Sequence, residues 1–191
     1  MTTAPEPPAP IWLRPPALVV FVATVVAIRL YVGAATGLVR DEGYYTLWSF
    51  HPQLGYLDHP PMVAWLIAAG RALVGENESG VRLLMVLTTI VVSLVIYRIG
   101  RALLDAPTAG LSVIWYNLTP AGGLLFIATP DAPAVMFWTL AIWCVAEFVV
   151  RRDPSWWLAA GLFAGLGLLS KYTTVFLGLG LVLYLLGHRE R

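Results

Sequence analysis

The chain has 191 residues, 59% of them hydrophobic and only 12% charged, with a mean hydropathy of +0.76. A soluble domain needs more surface charge than this, so the composition points to a polytopic membrane protein. A net charge of +1 gives no basic footprint for nucleic acid, and the single cysteine, Cys144, excludes an intrachain disulfide and a cysteine-based zinc site.

Residues 1–16 hold six prolines and are expected to be a disordered or extended cytoplasmic tail. The apolar run Ala17–Val39 would make a helix of about 34 Å at roughly 1.5 Å per residue. That is enough to cross a hydrocarbon core of about 30 Å. It is too long for a signal-peptide core, and is read as an uncleaved first span. Arg40-Asp41-Glu42-Gly43-Tyr44-Tyr45 follows directly, which places two acids at the membrane surface.

The interval from Arg40 to Gly80 carries too much apolar material for a plain loop. Within Met62–Val74, residues Met62, Trp65, Leu66, Ala69 and Leu73 fall at helical spacing with Arg71 off the stripe, the pattern of an interfacial helix. Gly43–Phe50, rich in aromatics, reads as a second interfacial piece. Five more apolar segments follow: Val81–Leu103, Ala109–Ala128, Ala132–Val150, Trp156–Leu169 and Thr173–Leu186. The third span is expected to kink at Asn117, Pro120, Gly122 and Gly123. The last two segments are short and are read as a tight hairpin turning at Ser170–Thr173. The expected fold is therefore all-α, with about six transmembrane helices and one or two interfacial helices in the first outer loop, residues 40–80. The membrane domain spans 17–187, and 188–191 form a cytoplasmic tail.

Basic residues set the orientation. With the N-terminus inside, seven arginines (Arg14, Arg98, Arg101, Arg151, Arg152, Arg189, Arg191) lie on the cytoplasmic side. Four cations (Arg40, Arg71, Arg82, Lys171) lie outside, and Arg29 sits within the first span, where it is expected to pair with an acid. Glu147 is expected to reach towards Arg151.

The outer side then gathers Asp41, Glu42, His51, Asp58, His59, Asp131, Lys171 and Tyr172 on a few loops. Carboxylates and cations at the edge of a bilayer suit transfer from a lipid-borne phosphate to an acceptor. A carboxylate can take the acceptor proton, and a cation can steady the departing phosphate. Asp58-His59 before two prolines also reads as a rigid turn. Asp131 also reads as the N-cap of the fourth span, a role compatible with lining a cavity.

At these residues the chain resembles a known family. Arg29, Asp41-Glu-Gly-Tyr-Tyr45, Gly55-Tyr-Leu-Asp-His-Pro-Pro61, Thr129-Pro-Asp131 and Leu169-Ser-Lys-Tyr172 look like the N-terminal half of the GT-C glycosyltransferases. The likeness is greatest to the bacterial branch related to protein O-mannosyltransferases and to the lipid A aminoarabinose and galacturonic acid transferases. It runs from about Arg29 to Leu186. It implies inverting transfer of a sugar from a polyprenyl-phosphate donor to a lipid, glycan or protein hydroxyl on the outer face of the cell membrane, with no cofactor and no metal ligand set. Carried over residue by residue, Asp41 matches the general base and Glu42 its neighbour, which helps position substrates. His59 stands where the aminoarabinose transferases hold a lysine facing the lipid phosphate, and neutral histidine serves that role less well. Asp131 matches the second acidic motif, lining the same cavity. Apart from the likeness, Lys171, the only lysine, is read as a phosphate contact because a charge at membrane depth is costly, with Tyr172 beside it, and Asp58 is read as a further cavity residue.

Family members usually continue through more spans, so the chain looks like a truncated product or a fragment. A non-catalytic lipid-binding remnant remains a rival reading. A small transporter or flippase is another, but its sign would be symmetry between halves, and none is visible. The orientation is directly testable. In a Cys144→Ser background, single cysteines within Gly75–Gly80 should label from outside and Arg152→Cys only from inside; outside labelling at residue 152 would invert the topology.

Overall fold

In a computed structural model, described here over residues 10–187, the chain is all-helical. A 3₁₀ turn at Ile11–Leu13 leads into α1 (Pro15–Ala35), α2 (Arg40–Ser49), α3 (Met62–Val74) and α4 (Glu78–Leu103). Then come α5 (Ala106–Leu118), the single turn α6 (Pro120–Gly123) and a 3₁₀ turn at Leu124–Phe126. The chain continues through α7 (Asp131–Arg151), α8 (Ser155–Leu168), a 3₁₀ turn at Tyr172–Thr174 and α9 (Val175–Gly187). Residues 1–9 and 188–191, the greater part of the expected N-terminal tail and all of the C-terminal one, lie outside the described residues. Pro15 and Pro16, read as part of that tail, open α1 instead, because proline needs no N–H in a first helical turn.

Helix starts follow local chemistry. The Asn77 side chain accepts from Gly80 N–H at 2.9 Å, Asp105 from Thr108 N–H at 2.7 Å, and Thr119 from Gly122 N–H at 3.3 Å, each satisfying a donor of a first turn. Gly75 ends α3 with φ +103°, a conformation that side chains resist.

Helix α4 is the spine, packed against α1, α3, α5 and α7, and α7 packs in turn on α8. Close approach is bought with small residues: a Cβ on Gly70 of α3 would run into the carbonyl oxygen of Gly80 in α4, and one on Gly100 would meet the backbone of Ala109 in α5. The core nearest the acidic motif joins Tyr45, Val63, Ile67, Val81, Met85, Ala128 and Ala132.

Three helices, α1, α4 and α7, are long and apolar enough to cross a membrane. The other expected spans appear as shorter pieces. The third is broken at Thr119–Pro120 into α5, α6 and the 3₁₀ turn, as its proline and glycines foretold, while α8 and α9 are 14 and 13 residues long. The turn between α8 and α9 falls where expected, but among the described side chains of α9 only Leu177 is buried, so the pair is not a tightly packed hairpin.

Helix α3 has the expected bounds. Of its apolar stripe, Met62 is buried and Leu66 packs on the core, whereas Leu73 is 68% exposed and Ala69 is also exposed; Val63, Ile67, Gly70 and Arg71, off the stripe, are buried. Arg71 earns its inward place by donating to Ser49 Oγ and Glu76 Oε1, both at 2.8 Å, with its guanidinium 3.7 Å from the Phe50 ring.

Arg29 corrects another expectation, because it pairs with no acid among the described residues. Buried within α1, it donates to Thr89 Oγ1 at 2.6 Å and to the Asn117 carbonyl at 3.2 Å. That carbonyl lies in the last turn of α5, where the break leaves it without a helical partner. The cation thus closes the kink. Glu147 does pair with Arg151, and also accepts from Trp143 Nε1 at 3.0 Å.

The Gly70 contact gives a stability test. Gly70→Ala should cost about 1–3 kcal/mol, because backbone must move aside. Gly43→Ala, whose methyl meets open space, should change stability by no more than about 0.5 kcal/mol. Thermal unfolding in detergent reads both.

Candidate active site

The apolar run before the acids does not remain helical to its end. Helix α1 stops at Ala35, Thr36 is extended, and the chain re-enters a helix at Arg40, so Asp41 and Glu42 occupy the first turn of α2. What holds that bend is Arg82, near the start of α4. Its Nη1 donates to the carbonyls of Gly33 and Thr36, both at 2.7 Å, and its Nη2 to Gly37 O at 2.9 Å. The carbonyls left over at the end of α1 are thereby satisfied by one side chain.

The same guanidinium grips Glu42. Nε donates to Oε1 at 2.7 Å and Nη2 to Oε2 at 2.5 Å. Glu42 is fully buried and accepts two more bonds, from Ala128 N–H at 2.8 Å and Val39 N–H at 3.0 Å. Burial alone would push its pKa up. The Arg82 contact and the two backbone N–H groups outweigh that and hold it below the usual carboxylate range. Four donors leave this carboxylate committed as a charged acceptor.

Asp41, one residue earlier, is the reverse case: exposed, and without a hydrogen bond or ion pair among the described residues. Its surroundings are marked by Tyr45. Burial raises the pKa of that phenol first, and the negative charges of Asp41, Asp131 and Asp58 raise it further. Three sequence-predicted acids therefore lie near enough to one tyrosine for their charges to act on it. Asp58 is held by Tyr44, whose hydroxyl donates to Oδ2 at 2.8 Å, an arrangement that raises the Tyr44 pKa.

The loop after α2 folds back as an aromatic stack. Trp48 and Tyr56 lie parallel with centroids 4.3 Å apart, and the half-buried His59 sets its ring edge-on to Tyr45 at 5.7 Å. Tyr56 Oη donates towards the carbonyls of Trp48 and His51 and receives Gln53 N–H at 3.1 Å, which fixes the turn before Asp58.

On the far side, Lys171 Nζ donates to Asp131 Oδ1 at 2.6 Å, joining the α8–α9 turn to the start of α7. The pair borders a cleft of about 320 Å³ walled by Val135, Trp138, Thr139 and Thr174. Asp41 does not line this cleft. Tyr172 is 61% exposed beside it in the chain. Met62 N–H donates to Leu169 O at 3.0 Å, so the aromatic loop and the lysine turn are tied through backbone.

The residues that the sequence singled out thus occupy one end of the bundle, and the structure adds Arg82, Tyr44, Tyr45 and Trp48 to them. Arg82 had a legible signal: it is a lone cation at the head of an apolar span, a placement that demands a partner. Among the described residues no three His, Cys, Asp or Glu side chains gather as a metal ligand set.

Comparison with known proteins adds a second line. The profile described as dolichyl-phosphate-mannose-protein mannosyltransferase matches residues 58–191. The chain is 32% identical over 145 residues to a lipid A galacturonosyltransferase of Rhizobium johnstonii, covering 74% of this chain and 30% of that protein. It is 31% identical over 125 residues to an undecaprenyl phosphate-alpha-4-amino-4-deoxy-L-arabinose arabinosyl transferase of Pseudomonas aeruginosa, covering 62% of this chain and 23% of that protein. The matched region is therefore less than a third of either relative's length. No solved structure gives a significant match.

The Glu42 cluster predicts a pH-dependent stability. Its pKa is depressed on folding, so its contribution is complete above the unfolded value of about 4.3 and is lost as pH falls through the folded value. Glu42→Gln leaves Arg82 buried without its counter-charge and should cost about 3–5 kcal/mol near neutrality. Thermal unfolding from pH 7 to pH 3 should show wild type and Glu42→Gln converging at the acid end; a constant gap would contradict the assignment.

Proposed function

The chain belongs to the dolichyl-phosphate-mannose-protein mannosyltransferase family, and on that premise we propose that it moves a sugar from a polyprenyl-phosphate donor to a hydroxyl acceptor at the outer face of the cell membrane. The acceptor class is a lipid, glycan or protein hydroxyl, and the names of the relatives favour lipid A and an undecaprenyl-phosphate-linked sugar. The observation that carries this reading is the contrast between two neighbouring acids: Glu42 has every lone pair engaged, and Asp41 is open and unpaired among the described residues.

In the proposed reaction the acceptor oxygen attacks the anomeric carbon and Asp41 takes its proton. The bond from that carbon to the phosphate oxygen breaks on the opposite face, which inverts the configuration. The electron pair leaves with the polyprenyl phosphate. Lys171 and Tyr172, with His59 across the aromatic stack, receive the phosphate charge. Lys171 begins bonded to Asp131, so the phosphate exchanges one anionic partner of the lysine for another. Asp58, held by Tyr44, and Asp131 form the polar wall. Glu42 acts through Arg82 and Ala128, holding the first turn of α2 so that Asp41 presents its carboxylate outward. The six-span topology, with the shorter apolar helices crossing beside α1, α4 and α7, completes this reading.

Two variants of the full-length enzyme separate the roles. Asp41→Asn keeps shape but loses basicity, and should slow transfer by about 10²- to 10⁴-fold while donor binding survives. Lys171→Ala should weaken donor binding by removing a charge-assisted contact. Transfer of labelled sugar from a polyprenyl-phosphate donor, measured with donor binding, reads both. Near-normal turnover in Asp41→Asn would remove the base from the scheme.

A further inference from the structure

At the end of the bundle remote from the acids, α1, α4 and α5 part to leave a groove of about 440 Å³. Its walls are apolar, with Val22 and Ala23 of α1 facing Ile90 and Leu94 of α4. One polar side chain on its floor, Ser93, already receives the Asn117 amide at 2.9 Å, so its oxygen is not left seeking water. The volume falls within the range of small-molecule sites. From Ile90 to Arg98 the groove runs about 12 Å along α4, at 1.5 Å per residue.

Its far end is polar and positive. Tyr97 and Arg98 close it beside Pro15. Arg98 is exposed and makes no ion pair among the described residues, and Arg101 lies one turn further along the same helix. The nearest acid in sequence, Asp105, accepts from Thr108 N–H at the start of α5, and the cation whose charge it feels is Arg101. An apolar slot on the flank of a membrane-crossing helix, ending at the Arg98 guanidinium, is complementary to one kind of molecule: an acyl chain with an anionic head group.

We propose that this groove is a binding site for one anionic glycerophospholipid, its chain between α1 and α4 and its phosphate on Arg98. The site is distinct from the donor position. The groove is built from the first half of α1 and the second half of α4, whereas Asp41 follows the end of α1 and Arg82 opens α4. A head group at Arg98 therefore sits at the membrane face opposite the acid cluster, the cytoplasmic face in the orientation given above.

The test is native mass spectrometry of the full chain in detergent, titrated with phosphatidylglycerol and, separately, phosphatidylcholine. Wild type should retain one phosphatidylglycerol in preference to phosphatidylcholine. Arg98→Gln, a change at an exposed position that leaves the fold intact, should lower phosphatidylglycerol affinity about ten-fold, to the phosphatidylcholine level. Ala23→Trp, which fills the slot, should abolish retention of both, and Asp41→Asn should leave it unchanged. Equal retention of the two lipids by wild type, or unaltered retention in either groove variant, would overturn the proposal. Displacement by undecaprenyl phosphate would also overturn it, by assigning the groove to the donor chain.

Discussion

One guanidinium organises the acid-bearing end of this protein. Arg82 takes the loose carbonyls where α1 ends and both oxygens of the acid that begins α2, so a break in a helix and a buried charge are resolved together. Neither half is stable alone. A buried carboxylate without its cation costs several kcal/mol, and so does the reverse. The bond from Ala128 N–H draws the segment before α7 onto the same point. Three pieces of chain that are distant in sequence are fixed by one ion pair.

The acids at this end consequently differ in kind. Glu42 is closed and held in its charged form, Asp58 and Asp131 each have one partner, and Asp41 has none among the described residues. This gradation supports the proposed division of work: a group that must exchange protons has to be reachable, and a group that must hold geometry has to be engaged. The aromatic stack of Trp48 on Tyr56 gives the Asp58-His59 turn a rigid backing, so the loop is shaped before any ligand arrives.

Much of the fold is legible in local chemistry. Helix α3 begins after Pro60-Pro61 and ends at Gly75, signals that act over a few residues, and its bounds match the expected ones. The break of the third span follows from Pro120. What hydropathy could not reveal is where α1 stops, because Thr36–Val39 is as apolar as a helix end and only Arg82, over 40 residues away, makes the extended path favourable. The burial of Arg71 is hidden for a related reason: it looks like a surface residue until Ser49 and Glu76 satisfy it. Arg29 was expected to find an acid, yet a carbonyl freed by a helix break serves. Sequence periodicity sees neighbours, and these partners are long-range. The site residues gather at one end because spans of alternating direction return to the same surface, which topology alone makes visible.

The reach of Glu42 has a consequence for how the chain is made. Its carboxylate needs Arg82, 40 residues later, and Ala128, 86 residues later. At about 5–20 residues per second, a ribosome takes roughly 4 to 17 seconds to supply the last of these. For roughly the first half of that interval, until Arg82 has been made, the acid that follows the first helix lacks its cation and is stable only in water. The nascent α2 is thus held outside the hydrocarbon by its own charge. Its setting is complete only when the second and third apolar segments, which carry Arg82 and Ala128, have been made, so the surroundings of the acid are assembled in chain order.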